Sequence, residues 1–310
     1  MIQQRGVVIY PQEVSEYWNQ KIFASSINLL GIHPPGGPHT EQSIRSAQEA
    51  LREPAVQSAL AELRARGIGI EYEMHALSWL LPRSLFSMHP EWFRMDEKGE
   101  RTPDYNLCPS NRDALDYIAE RAAILARTFR PTTGRHHFWL DDNAHSRCHC
   151  RDCARLSASD AAMLTYNAIA RGVRGADPDA RQCYLAYADT LEPPRRVEPA
   201  DNIFLEYAPF YRDLHRPLTD PENAAQIQPI DELLRVFGAR GAEALDYWLD
   251  NSYLSDWKEP PQRFVLEPEV IHADMALYED KGFETVTSFA CYLGEDYAKL
   301  YRENPDLSFL

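Results

Sequence analysis

The chain has 310 residues, of which 44% are hydrophobic and 25% charged, a composition that supplies a packed core and argues against intrinsic disorder. Its 47 acidic residues outnumber 32 basic ones, for a formal charge of −15. That balance excludes phosphate backbones and anionic lipid surfaces as natural partners and favours a neutral ligand.

No stretch approaches the roughly 18 apolar residues a membrane span requires. The N-terminal MIQQRGVVIYPQEVSEYWNQ breaks its short apolar run at Tyr10, Pro11 and Glu13 and lacks the apolar core of a signal peptide. The chain therefore reads as cytoplasmic, with the mature form of a secreted protein as the alternative. Its six cysteines are too few for a disulfide scaffold of this length.

A unit recurs along the chain: a short apolar strand ending in polar residues, a loop, then an amphipathic helix. The pattern predicts strands near Ile27–Ile32, Gly69–Met74, Tyr105–Cys108, His137–Asp141, Cys183–Ala188, Ile203–Tyr207, Ala244–Leu249 and Thr285–Cys291. Helices are expected over Thr40 to Arg66, broken at Pro54, and over Asp113 to Arg127 with Asn111 as N-cap. Ser159–Arg171, Pro229–Phe237 and Pro268–Lys281 complete the set. Strands alternating with helices imply a parallel sheet, and at this length a single (β/α)8 TIM-type barrel over residues 1–310 is the economical closure. A doubly wound open sheet is the rival. Irregularity is expected around the third and fifth strands, where a long loop (78–104) and a Pro-rich link (190–201) intervene.

Active sites of such barrels gather at the C-terminal strand ends, which here are rich in carboxylates and aromatics. In GIEYEMH, alternation puts Glu71, Glu73 and His75 on one face. Two carboxylates and an imidazole facing inward must pair, bind or meet water. FWLDDN ends in Asp141, Asp142 and Asn143, and one aspartate can face the mouth while the other supports a loop. Glu206 and Tyr207 end another strand, and Asp246, Trp248 and Asp250 share parity on the next, flanked by Tyr247, Asn251 and Tyr253. With Tyr187, these rings and carboxylates suit a sugar, whose apolar faces stack on aromatics while its hydroxyls take polar groups. The block DDNAHSRCHCRDC holds Cys148, Cys150 and Cys153. Thiolates this close suit a tetrahedral structural zinc whose fourth ligand is Cys108, His145 or His149.

The stretches HPEWFRMDEKGERTPDYNLCPSN, FWLDDNAHSRCHCRDC, YLAYADTLEPP and ALDYWLDNSY resemble a glycoside-hydrolase-like barrel family first catalogued as a domain of unknown function. Its hallmark is an aspartate shortly before C-x-C-x-x-C, and some bacterial members are endo-β-N-acetylglucosaminidases acting on N-glycans. The likeness runs from about His33 to Tyr253 and implies kinship in style with hexosaminidases. There a carboxylate pair on one strand end works with the substrate's acetamido group, one orienting it and its neighbour donating the proton. Asp141 and Asp142 would match that pair, although hexosaminidases typically carry Asp-Glu.

The leading expectation is thus a glycosidase without organic cofactor. Asp142 is its general acid, kept protonated by burial beside Trp139 or Trp248 and by repulsion from Asp141, which orients or stabilises; Glu73 and Glu206 complete the catalytic set. His75, Asn143, Tyr187, Tyr207, Trp248, Asp250 and Tyr253 would shape the sugar site. Two rivals keep the barrel: a sugar isomerase or epimerase holding a divalent ion on Glu73, Asp142, Glu206 and Asp250, or a glycan-binding barrel without catalysis.

Overall fold

In the computed structural model, which describes residues 1–307, eight parallel strands close into a barrel in strict chain order. They are β1 (Gln4–Ile9), β2 (Leu29–Ile32), β3 (Gly69–His75), β4 (Arg135–Trp139), β5 (Arg181–Ala186), β6 (Ile203–Tyr207), β7 (Glu243–Asp246) and β8 (Thr285–Phe289). Closure is direct, with β1 paired to both β2 and β8. Helices lie outside, among them Arg112–Thr128, whose Asn111 cap accepts the Ala114 amide at 2.9 Å, and Pro268–Lys281. No helix of the described residues is long and apolar enough to cross a membrane.

Two strand expectations need correcting. The N-terminal QRGVVI is β1; its Val-Val-Ile run is the β-branched signal of a buried strand. Tyr105–Cys108 is not in the barrel. Leu107 instead forms an antiparallel bridge to Phe93 within the long loop, and β3 pairs directly with β4. The aspartate pair also lies beyond its strand, since β4 ends at Trp139. The helix expected to break at Pro54 does so, as Thr40–Ala50 and Pro54–Ala65.

The barrel interior carries charge rather than a purely apolar filling. Arg135 and His137 point in from β4 and meet Glu71 from β3, Glu206 from β6 and Glu243 from β7. Arg135 pairs with Glu243 and lies 3.5 Å from Glu71. His137 Nε2 is 2.9 Å from Glu71 Oε2, and its Nδ1 is 3.0 Å from Glu206 Oε1. Thr285 accepts from Arg135 at 2.9 Å, and Thr287 donates to Glu243 at 2.9 Å. Burial alone would strip His137 of its proton, but Glu206 and Glu71 hold its pKa well above the usual value. Burial would likewise raise Glu71, yet Arg135 and His137 bring it to about 2. Glu73 lies in the same interior, fully buried, with no partner for either carboxyl oxygen. Burial raises its pKa well above the ordinary range, so it is held neutral. A Cβ at its neighbour Gly31 would overlap the Glu73 carboxyl and crowd Val8.

Two outcomes follow from this interior. Arg135→Met leaves Glu243 and Glu71 short of a counter-charge in a dry site, and should cost about 3–5 kcal/mol in urea unfolding. Unchanged stability would show that the interior charges contribute nothing to the fold. Glu206→Gln removes one of the carboxylates that hold the His137 proton, so the His137 pKa followed by NMR should fall relative to wild type. A value unmoved by the substitution would remove Glu206 from the network.

Candidate functional site

A cavity of about 350 Å³ opens at the C-terminal mouth of the barrel. Each strand contributes to it at or just beyond its end: Tyr10, His33, His75, Trp139, Tyr187, Phe210, Tyr247 with Asp250, and Phe289 in chain order. Trp139 anchors this assembly from below. Its indole N–H donates to Glu206 Oε2 at 2.6 Å, and its ring lies 5.4 Å from His33 and 5.0 Å from His75. The interior charges thereby fix an aromatic surface of the cavity.

The two histidines are oriented by backbone carbonyls. His33 Nδ1 is 2.9 Å from the Glu73 carbonyl and His75 Nδ1 is 2.7 Å from that of Leu140. A carbonyl only accepts, so each Nδ1 carries the hydrogen. Burial and the neighbouring His75 bring the His33 pKa down to about 3, which leaves its Nε2 an acceptor.

Two carboxylates reach the cavity, Asp142 and Asp250. The Tyr187 hydroxyl donates to Asp142 Oδ1 at 3.4 Å. Gly36 gives Asp142 its space: a Cβ there would stand 3.1 Å from Asp142 Oδ2 and 3.0 Å from the His75 ring. Asp250 caps the turn Asn251–Leu254, its Oδ1 accepting from the Ser252 hydroxyl at 2.6 Å, the Ser252 amide at 3.0 Å and the Tyr253 amide at 3.4 Å. Burial pushes its carboxyl above the ordinary aspartate value, against the pull of those bonds.

Asp141 is turned away, into an adjoining crevice that shares His75, Leu185 and Tyr187 with the cavity. It pairs with Arg83 and accepts the Asn106 amide at 2.6 Å, while its own amide donates to Asn106 Oδ1 at 3.2 Å. Asn106 also donates to the Ser146 hydroxyl at 2.6 Å. The expectation that Asp141 crowds Asp142 with an unpaired charge is corrected accordingly, because Arg83 meets that charge. Asn143 lines the same crevice.

The remaining expected site residues divide by position. His75 and Tyr187 line the cavity. Glu73 and Glu206 do not; they lie in the barrel interior beneath it, because inward-facing positions in mid-strand reach the core rather than the mouth. Tyr207 points outward from β6 and donates to the Gln226 carbonyl at 2.7 Å. Trp248 likewise leaves the cavity, donating to Asp274 on the helix Pro268–Lys281 at 2.9 Å. β7 ends at Asp246, so strand parity no longer governs Trp248. Tyr253 stands half exposed at the outer rim. Tyr247, expected to flank the carboxylates, does line the cavity. Sequence reasoning missed Tyr10, His33 and Phe289 at the mouth and Arg83 and Asn106 behind Asp141. It also missed Arg135 and His137, although the alternation Arg135-His137-Trp139 would have marked one inward face.

Behind the aspartate loop, Cys108, Cys148, Cys150 and Cys153 are buried together. Their sulfurs all lie within 4.8 Å of one another, Cys108 being 3.6 Å from Cys150 and 3.8 Å from Cys153. A tetrahedron with bonds of about 2.3 Å has edges of about 3.8 Å, so the spacing is a metal-binding one. His145 is exposed and His149 faces Glu97 at 3.9 Å; neither joins the four sulfurs.

Solved structures share this architecture at very low identity. Gan42B, a GH42 β-galactosidase from G. stearothermophilus, superposes with a TM-score of 0.55 at 12% identity, over 93% of this chain and 51% of its own. The β-galactosidase of the psychrophilic Marinomonas ef1 gives 0.52 at 12%, over 93% and 54%. A GH18 chitinase from Pseudoalteromonas aurantia gives 0.50 at 6%, over 99% and 100%. The chain spans about half the length of the two β-galactosidases, and the likeness is one of fold. No curated protein matches the sequence. A family model described as Domain of unknown function (DUF4838) matches residues 42–239, from the helix Thr40–Ala50 past β6 and including the cysteine block. The chain therefore belongs to the DUF4838 family.

Proposed function

We propose that the protein is a glycoside hydrolase in which Asp142 donates the proton to the leaving group and Asp250 stabilises the positive charge that develops on the sugar. The observation that carries the reading is the pairing of these two carboxylates in one aromatic-lined cavity at the barrel mouth. Glycosidic cleavage needs one protonated and one ionised carboxyl. Asp142 lines the cavity with the Tyr187 hydroxyl 3.4 Å from its Oδ1, which puts its carboxyl within reach of a sugar seated there. Trp248 and Asp141 are engaged elsewhere, the one facing Asp274 and the other Arg83. The acetamido-assisted route implied by the hexosaminidase resemblance has less support, because Asp141 is paired with Arg83. The isomerase alternative has less support: among the described residues, no cluster of three metal-ligating side chains includes Asp142 or Asp250.

A panel of aryl glycosides tests this directly. It includes N-acetylhexosaminides, which the resemblance implies, and β-galactosides, which the names of the fold neighbours bring in. Asp142→Asn should lose about 10²–10⁴-fold in rate on poor leaving groups and much less on leaving groups that need no proton. Equal rates of variant and wild type on both would pass the role of acid to another residue, and no hydrolysis of any glycoside by the wild type would leave a binding barrel.

The pH profile separates the two carboxylates. Activity requires Asp250 ionised, so the acidic limb should lie above the value of about 3.9 of a free aspartate. Ser252→Ala removes a hydrogen bond that favours the charged form and should move that limb to higher pH, whereas Asp142→Asn should flatten the basic limb. An acidic limb indifferent to Ser252→Ala would detach it from Asp250.

The four cysteines fit a structural zinc by donor type and spacing. Cys108 follows Asn106 by two residues and Cys148 follows Ser146 by two, so an ion there would tie the Asn106 segment, which holds Asp141, to the Ser146 segment bonded to it. Purified protein should contain about one zinc per chain, and its removal by a chelator should lower the melting temperature while leaving the leaving-group dependence of Asp142 intact. Protein free of zinc with four freely titrating thiols would end this assignment.

A further inference from the structure

The mouth cavity is at the small end of the roughly 300–1,000 Å³ usual for ligand sites, so a glycan longer than one or two sugar rings must leave it. A second concavity begins where it would emerge. An open groove of about 520 Å³ shares Phe210 with the cavity. Tyr211 and Tyr253, 58% and 50% exposed, form its aromatic walls. Their rings are stitched to the cavity: Phe210 lies 5.3 Å from Tyr211, 5.5 Å from Tyr253 and 4.9 Å from Tyr247. Trp257, itself a cavity residue, stands 5.6 Å from Tyr253. It is held there by left-handed backbone at both Asp256 (φ 53°) and Trp257 (φ 52°), a conformation that costs a non-glycine residue free energy and persists only where its surroundings enforce it.

The polar lining is that of a neutral ligand. Arg216 is already paired with Asp213 and Asp220, and Arg212 with Asp246 and Asp274, while Glu222 adds a negative charge. An anionic ligand would meet no free cation on these arginines.

We propose that the groove walled by Tyr211 and Tyr253 binds the continuation of an uncharged glycan whose end sits in the mouth cavity, so that the substrate is an oligosaccharide. This rests on the glycosidase reading, and the experiment separates the two. Tyr211→Ala should raise KM for oligosaccharides roughly 3- to 10-fold and leave short aryl glycosides unaffected, with Tyr211→Phe restoring wild-type values. Loss on both substrate types, or on neither, overturns the groove while hydrolysis by the wild type keeps the glycosidase reading. If the wild type hydrolyses nothing, titration of a neutral oligosaccharide against tryptophan fluorescence still decides. A shift in wild type that weakens in Tyr211→Ala supports the groove, and no shift in the wild type ends it. Sedimentation showing a dimer that Tyr211→Ala dissociates would also overturn the proposal, because the rings would then serve self-association.

Discussion

A carboxyl group sealed inside a barrel must find a positive charge or keep a proton, and here both solutions occur side by side. Glu71, Glu206 and Glu243 share the charges of Arg135 and His137, while Glu73 is held neutral by burial. The arrangement is costly to assemble, since each ion gives up its hydration, and it is tolerated only when partners satisfy it closely. What it provides is position. Glu206 spends one oxygen on His137 and the other on the Trp139 indole, so the ring at the base of the cavity is locked by charges that never reach solvent.

The mouth is positioned from the side as well. β4 stops at Trp139, and the chain then divides its two aspartates between tasks. Asp141 turns back to Arg83 and Asn106, which frees Asp142 to face the cavity. Asn106 and Ser146 are bonded to each other just ahead of Cys108 and Cys148. The cysteine block, Asn106 and Asp141 therefore form one continuous brace, and Asp142 is its last member. Removing Asn106 would disturb Asp142 without touching it.

The barrel was legible in the sequence because a parallel sheet leaves a strong trace: apolar runs of four to seven residues separated by helical periodicity. The count of eight came out right although β1 was overlooked and Tyr105–Cys108 was included, two errors that cancel. A strand six residues long at the N-terminus reads as easily as a stray apolar run, and an apolar segment that bridges once to Phe93 has the same composition as a barrel strand. The carboxylates were legible as chemistry but not as levels. Alternation identifies which side chains point inward; it does not say how deep along the axis they lie, and depth is what separates Glu73 and Glu206 from Asp142 and Asp250. Trp248 was misplaced because parity was carried past the end of β7, and Tyr207 because a place at a strand end does not say which face the side chain takes. Three of the four cysteines were readable from the C-x-C-x-x-C spacing, whereas Cys108 stood beside His145 and His149 for an expected place on a strand next to β4, and the structure brings it to the cluster from a loop instead.

The neutral Glu73 and the protonated His137 give the barrel a proton ledger of its own. Each has a folded pKa above its unfolded one, so the folded chain keeps protons that the unfolded chain releases. Stability from Glu73 is complete below its unfolded value of about 4.3 and drains away as pH climbs toward the folded pKa; that from His137 behaves the same way above about 6.5. Glu71, brought down to about 2, works in the opposite sense and withdraws its contribution only as strong acid protonates it. Glu73 and His137 thus lose their contribution on the alkaline side and Glu71 on the acid side, while His33 at the mouth, brought down to about 3, withdraws stability as pH falls below the free imidazole value of about 6.5.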